Sequence, residues 1–345
     1  MERKVHTYVK DLGPWLKRQI QSFPLQRDLS VVGGTPSDLN EKQFDAFSIV
    51  SEFLLEADRI GVENAPQLLL NIGGPAGSGK TFWLNTMRRW AKDHIKNYGQ
   101  EFITTAAPTG SAAFLIGGST LHSLLFLNSK LKKNQKLPRL GASQLKDLQD
   151  RFKNVGVLVI DEKSMIGHKT MFMISERLKE ARPKHQDKPF GGVSVILLGD
   201  IKQLPPVLDS ALHTDKIGKW RAGHNLYRHF EDTIKFTKVE RQLGDAQKEF
   251  RDELERLSNG EFTKADYDKW KKRCLNKLSP EERRNFETIA TKACSLTKDM
   301  ESFNIKRIQN IGNPIASLPA VNDPDCPENR GRKAERESNS DSMDT

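Results

Sequence analysis

Cysteine is scarce: the 345-residue chain has three, Cys274, Cys294 and Cys326, and no two of them stand at a C-x-x-C spacing. That excludes a disulfide-built scaffold and the common zinc sites, and predicts reduced thiols in a reducing compartment. Long apolar runs are missing too. No stretch reaches the roughly 18 apolar residues of a membrane-spanning helix, so no membrane partner is expected. The opening residues, MERKVHTYVKDLGPW, lack the apolar core of a secretory signal, which predicts a cytosolic or nuclear chain. No internal repeat is visible.

Charge is abundant, with a net +10. A basic excess favours a polyanionic partner without identifying one. From Leu39 to Ile60 apolar residues recur at helical spacing, at Phe44, Phe47, Val50 and Leu54. Short apolar runs then alternate with helical stretches: QLLLNI, FITTAA, VGVLVI, VSVILLG and TIKFTKV. That alternation predicts an α/β fold, a parallel sheet with helices on both faces.

The strongest motif is Gly74-Pro75-Ala76-Gly77-Ser78-Gly79-Lys80-Thr81, a G-x-x-x-x-G-K-[ST] loop between a strand and a helix. Its glycines let the backbone N–H groups face phosphates, and the following helix points its positive end at the same place. Lys80 is expected on the β- and γ-phosphates and Thr81 on Mg²⁺, making ATP and Mg²⁺ the expected ligands. The partner motif ends the run Val157–Ile160 in Asp161 and Glu162. Asp161 is expected to hold Mg²⁺ and Glu162 to polarise the attacking water.

These segments, with Ala107-Pro-Thr-Gly-Ser-Ala-Ala113, Ser119-Thr-Leu-His122-Ser, Asp161-Glu-Lys-Ser-Met165, Pro189-Phe-Gly-Gly192 and Gly199-Asp-Ile-Lys-Gln-Leu-Pro-Pro-Val207, resemble the Pif-one (petite integration frequency) family of superfamily-one DNA helicases. The resemblance runs from about Leu39 to Ala320, and the Asp-Glu-Lys-Ser-Met variant is similar to the Helitron branch. It implies a RecA-like P-loop NTPase that moves 5′ to 3′ on single-stranded DNA and opens duplex junctions, in repair, recombination, telomere maintenance or transposition. A nuclear monomer is expected, with mitochondria as the alternative location. A signalling GTPase is disfavoured, because no N-K-x-D-like segment is present.

The resemblance also assigns roles. Gln43 would read the adenine edge; the bland alternative is a solvated helix residue. Gln203 would sense the γ-phosphate. Arg241 would enter from the second domain as an arginine finger; an ordinary surface ion pair is the alternative. Pro108, Thr109, Gly110 and Ser111 would grip the DNA backbone. His122 would follow them on DNA, or else be a buried histidine. Phe126 would stack on a base or join the core. Trp83 and Trp90 read as core. Lys163 stands where the family carries an apolar residue, and its ammonium must snorkel or find a carboxylate.

The expected organisation is an N-terminal extension (1–38), a RecA-like domain (39–230) with a basic insertion (127–153), the incomplete start of a second RecA-like lobe (231–322) and a disordered tail (323–345). The insertion is expected beside the DNA as a wedge, with a merely solvated loop as the alternative. The second DNA-gripping motif and a late phosphate-sensing arginine are not found, so the alternative function is a truncated remnant that binds ATP and DNA without unwinding.

Overall fold

The computed structural model describes residues 33–96, 102–127, 137–215, 218–241 and 244–310. The expectations for the N-terminal extension up to residue 32 and for the tail lie outside them. The chain divides into two compact units, with the boundary between Gly260 and Glu261.

The first unit is built on six parallel strands in the order β3-β2-β4-β5-β1-β6. They are β1 (Leu69–Gly73), β2 (Ile103–Ala107), β3 (Ser119–Thr120), β4 (Val157–Ile160), β5 (Ser194–Gly199) and β6 (Asp232–Lys235). Each apolar run named above supplies one strand, and β3 is a further short one. Every residue of β4 and β5 is buried, as expected of parallel strands covered on both faces.

The two faces are separate cores. Val157 and Val159 point to one, with α1 (Glu41–Ile60) and α2 (Lys80–His94); Leu158 and Ile160 point to the other, with α5 (Ala142–Phe152) and α6 (His168–Ala181). Between these helices lie α3 (Gly110–Leu115) and α4 (Leu121–Leu124); α7 (Arg221–Tyr227) precedes β6, and α8 (Lys248–Asn259) ends the unit. Trp83 is fully buried, and Trp90 packs edge-on against Phe47 at 5.4 Å.

Three expectations change. The inward stripe of α1 runs through Gln43, Ala46, Phe47, Val50 and Leu54, while Phe44 is 48% exposed. Gln43 turns inward because it closes the helix: Asn40 Oδ1 accepts from Gln43 N–H at 3.2 Å and Gln43 Oε1 accepts from Asn40 N–H at 3.0 Å. Second, β6 pairs with β1 along Leu70–Gly73, so the first domain continues past residue 230. Third, the later part of the basic insertion anchors in the core rather than standing apart as a subdomain. Leu148 and Phe152 of α5 are fully buried, and Arg182 donates to the Phe152 and Val155 carbonyls. Residues 128–136, with Lys130, Lys132, Lys133 and Lys136, lie outside the described residues.

In the second unit the described residues form three α-helices, α9 (Lys264–Lys271), α10 (Pro280–Thr288) and α11 (Thr297–Gln309), with a short 3-10 turn at Leu275–Lys277, and no strand. They supply no second sheet.

Candidate functional site

β1, β4 and β5 end side by side, and the chemistry hangs from those ends. β1 runs directly into the loop Gly74–Gly79, and α2 begins at Lys80. Gly77 and Gly79 both have φ +81, a conformation that side-chain-bearing residues rarely adopt. Lys80 Nζ donates to the Gly74 and Pro75 carbonyls at 2.7 and 3.0 Å, so the ammonium lies across the mouth of its own loop. Ser78 Oγ is buried and, among the described residues, has no hydrogen-bond partner. A lysine cation, a free hydroxyl inside the curl and the helix start at Lys80 form a donor set that fits a polyphosphate.

The acid pair faces the same ammonium. Asp161 Oδ1 accepts from Glu162 N–H at 2.8 Å, while the N–H of Asp161 continues the sheet ladder to the Ala106 carbonyl at 2.9 Å. Glu162 sits at φ +53, ψ +45, left-handed backbone that strains a residue of its size. Burial raises the Asp161 carboxyl above its ordinary range. Burial first, and then Asp161, does the same to Glu162. Burial lowers the Lys80 ammonium, while Asp161, Asp200 and Glu162 pull it back up. Asp200, just past β5, is a third carboxylate of this group that sequence reading missed; the signal was its place at the end of an apolar strand.

Lys163 does neither of the things expected of it. It is 4% exposed, and its Nζ donates to Asn71 Oδ1 at 2.6 Å and to the Ile72 carbonyl at 2.9 Å, both on β1. Burial, with Lys80 nearby, lowers its pKa to about 8.

Arg241 also departs from expectation. It does not belong to the second unit. The chain leaves β6, donates from Phe236 N–H to the Gly73 carbonyl at 2.7 Å and from Glu240 N–H to the Gly77 carbonyl at 2.8 Å, and so lays Arg241 over the loop. A Cβ on Gly77 would lie 2.7 Å from Arg241 Cβ. Glu240 is clamped in turn, by Lys238 at 2.9 Å and Asn40 Nδ2 at 3.1 Å.

Beside the loop, Asp38, Leu39, Asn40, Gln43, Gly79, Phe82, Lys238 and Glu240 line a cavity of about 440 Å³. Gln43 Nε2 donates to the Ser78 carbonyl at 3.0 Å. Counting its bonds to Asn40 and Ser78, the amide keeps one N–H and one lone pair to offer.

The DNA candidates cluster at the other edge of the sheet. Pro108 and Thr109 follow β2, and Thr109 Oγ1 caps α3 by accepting from Ala112 N–H at 3.3 Å. Gly110 and Ser111 are exposed, and nothing lies within 4 Å of a Cβ built on Gly110. His122 is exposed rather than buried. Phe126 packs on the second core with Arg151 over its ring at 5.0 Å. Gln203 is half-buried, its N–H donating to the Asp200 carbonyl at 3.1 Å. Pro189-Phe-Gly-Gly192 is structural: Phe190 is fully buried and donates its N–H to Ser175 Oγ at 3.1 Å.

The PIF1-like helicase family profile matches residues 40–268, which hold the phosphate loop, the acid pair, Arg241 and the residues Pro108–Ser111, His122 and Gln203. The chain belongs to the PIF1-like helicase family. It is 31% identical over 252 residues to the Saccharomyces cerevisiae ATP-dependent DNA helicase PIF1, covering 72% of this chain and 27% of that protein. It is 30% identical over 249 residues to the yeast ATP-dependent DNA helicase RRM3, covering 72% and 32%. A Pif1 helicase solved to explain DNA unwinding at forked double-stranded DNA by two coordinating Pif1 helicases superposes with a TM-score of 0.54 at 26% identity, covering 77% of this chain and 57% of that one. The chain thus spans about a third or less of the two yeast PIF1-like helicases. No helix among the described residues is long and apolar enough to cross a membrane.

Proposed function

We propose that this chain is the ATP-hydrolysing motor of a DNA helicase, moving 5′ to 3′ on single-stranded DNA and working at duplex junctions. The observation that carries this is convergence on one loop. Lys80 and the loop backbone supply the phosphate cradle, Asp161, Glu162 and Asp200 stand on one side, and Arg241 arrives on the other.

In this reading Thr81 and Asp161 hold Mg²⁺, which when bound neutralises charge on the β- and γ-phosphates. Lys80 takes the same phosphates. The raised Glu162 carboxyl orients the attacking water and accepts its proton. Arg241 stabilises charge on the transferred phosphoryl group, and Gln203 links that event to the DNA side. Gln43 offers its remaining N–H and lone pair to the adenine edge. Pro108 to Ser111 and His122 take the DNA backbone. The work of such a motor in repair, recombination, telomere maintenance or transposition, its nuclear or mitochondrial location and its action as a monomer belong to the same proposal.

A second reading, an ATP- and DNA-binding chain that does not unwind, draws on the second unit, whose described residues form helices and no strand. A strand-separation assay on a duplex with a 5′ single-stranded overhang decides between them. ATP-dependent unwinding supports the motor; saturable ATP and DNA binding with slow hydrolysis and no unwinding supports the second reading. Absence of ATP binding sinks both.

A further inference from the structure

The acid pair follows β4 and the phosphate loop follows β1, and β5 lies between those two strands. Two strand spacings, roughly 10 Å, must therefore be bridged for the two halves of the site to hold register beyond what the sheet ladder provides. One side chain makes that bridge. After Glu162 turns through left-handed backbone, Lys163 crosses the end of β5 at Gly199 and plants its ammonium on Asn71 and Ile72. The crossing needs a glycine there: a Cβ on Gly199 would lie 2.8 Å from Lys163 N and 3.1 Å from its Cγ. The anchor is itself anchored, since Asn71 Nδ2 donates to Thr233 Oγ1 of β6 at 3.3 Å. β6 is the strand from which the chain runs on to Arg241. An apolar residue at 163 could fill the same space, but it would make no directed bond to β1.

We propose that Lys163 is a positioning residue, a strap that fixes the Asp161–Glu162 turn against the strand feeding the phosphate loop. It rests on the ATP and Mg²⁺ reading above. The strap acts on where the acid pair sits, not on the loop itself, so its loss should fall on the magnesium-dependent part of nucleotide binding.

The test measures binding of a fluorescent ATP analogue to the full chain with and without Mg²⁺, alongside thermal melting, for wild type, Lys163→Met, the double variant Lys163→Met with Asn71→Leu, and Asn71→Asp. The double variant removes the acceptor that Lys163→Met leaves unpaired but also takes Asn71 from Thr233 and Tyr227, so it should melt below wild type, and binding is read at a temperature where every variant is folded. Its magnesium-free affinity should stay within about twofold, while the gain on adding Mg²⁺ falls at least fivefold. Asn71→Asp keeps an acceptor for the ammonium and should keep the gain. A double variant that retains the full gain overturns the proposal, as does recovery of the gain in step with melting temperature. Should the Met variants fail to fold, Asn71→Ala carries the test, with the same loss expected in part and an unchanged gain overturning it. If wild type itself binds the analogue but gains nothing from Mg²⁺, the metal assignment fails and the strap falls with it.

Discussion

Gly77 and Arg241 pack backbone to side chain, so closely that a single methyl group on Gly77 would stand 2.7 Å from Arg241 Cβ. The phosphate loop and the arginine are therefore fitted to each other within one unit. Gly77→Ala should cost about 1–2 kcal/mol for forcing alanine to φ +81, and should also push Arg241 off the loop. Arg241→Ala should leave nucleotide affinity within tenfold and lower single-turnover hydrolysis by about 10³-fold or more. Equal loss of affinity and rate would make Arg241 a plain phosphate ligand.

Lys80→Ala removes the only cation bonded across the mouth of the loop among the described residues. A charge-assisted hydrogen bond is worth about 1.5–3 kcal/mol, so the dissociation constant for ATP should rise at least tenfold. Calorimetry that finds it unchanged would remove the site assignment.

Glu240 gives a pH-dependent prediction. Lys238, then Asn40, hold its carboxyl below the ordinary 4.5. A depressed folded pKa means that its contribution is complete above about 4.5 and is lost as pH falls through the lower folded value. Glu240→Gln should therefore cost about 0.5–1 kcal/mol at neutral pH, as a partly exposed ion pair does. The gap to wild type in chemical denaturation should close in acid. A gap independent of pH would mean that the charge contributes nothing.

On the DNA side, Ser111→Ala with His122→Ala should weaken single-strand binding and leave ATP affinity alone. Neutralising Lys130, Lys132, Lys133 and Lys136 should flatten the log–log salt dependence by roughly 0.7 for each phosphate that is no longer neutralised. An unaltered slope would take those four lysines off the DNA path.

Much of this was legible in the sequence because the central strands β4 and β5 are nearly continuous apolar runs, and the strand ends carry the conspicuous groups: Gly74–Thr81 after β1, Asp161 and Glu162 after β4. What was not legible depended on neighbours distant in sequence. Gln43 faces inward because Asn40 and Ser78 take its amide, which the periodicity of Phe44 and Phe47 could not reveal. The membership of β6 in the first sheet is decided by its ladder to β1. Lys163 looked misplaced because its acceptors, Asn71 Oδ1 and the Ile72 carbonyl, lie on a strand some ninety residues earlier. Leu148 and Phe152 were masked by the lysine-rich stretch before them.

The hydrogen bond from Asp161 N–H to the Ala106 carbonyl has a mechanical consequence. Ala106 stands two residues before Pro108, where the loop proposed to hold DNA begins. β2 and β4 are in register from Ile103 to Ala106, so neither can slide along the other without shearing that ladder. The Pro108–Ser111 loop and the acid pair are thus joined by a residue or two of backbone and one hydrogen bond. If the Pro108–Ser111 loop holds DNA as proposed, that short path would couple its position to that of the Asp161–Glu162 pair.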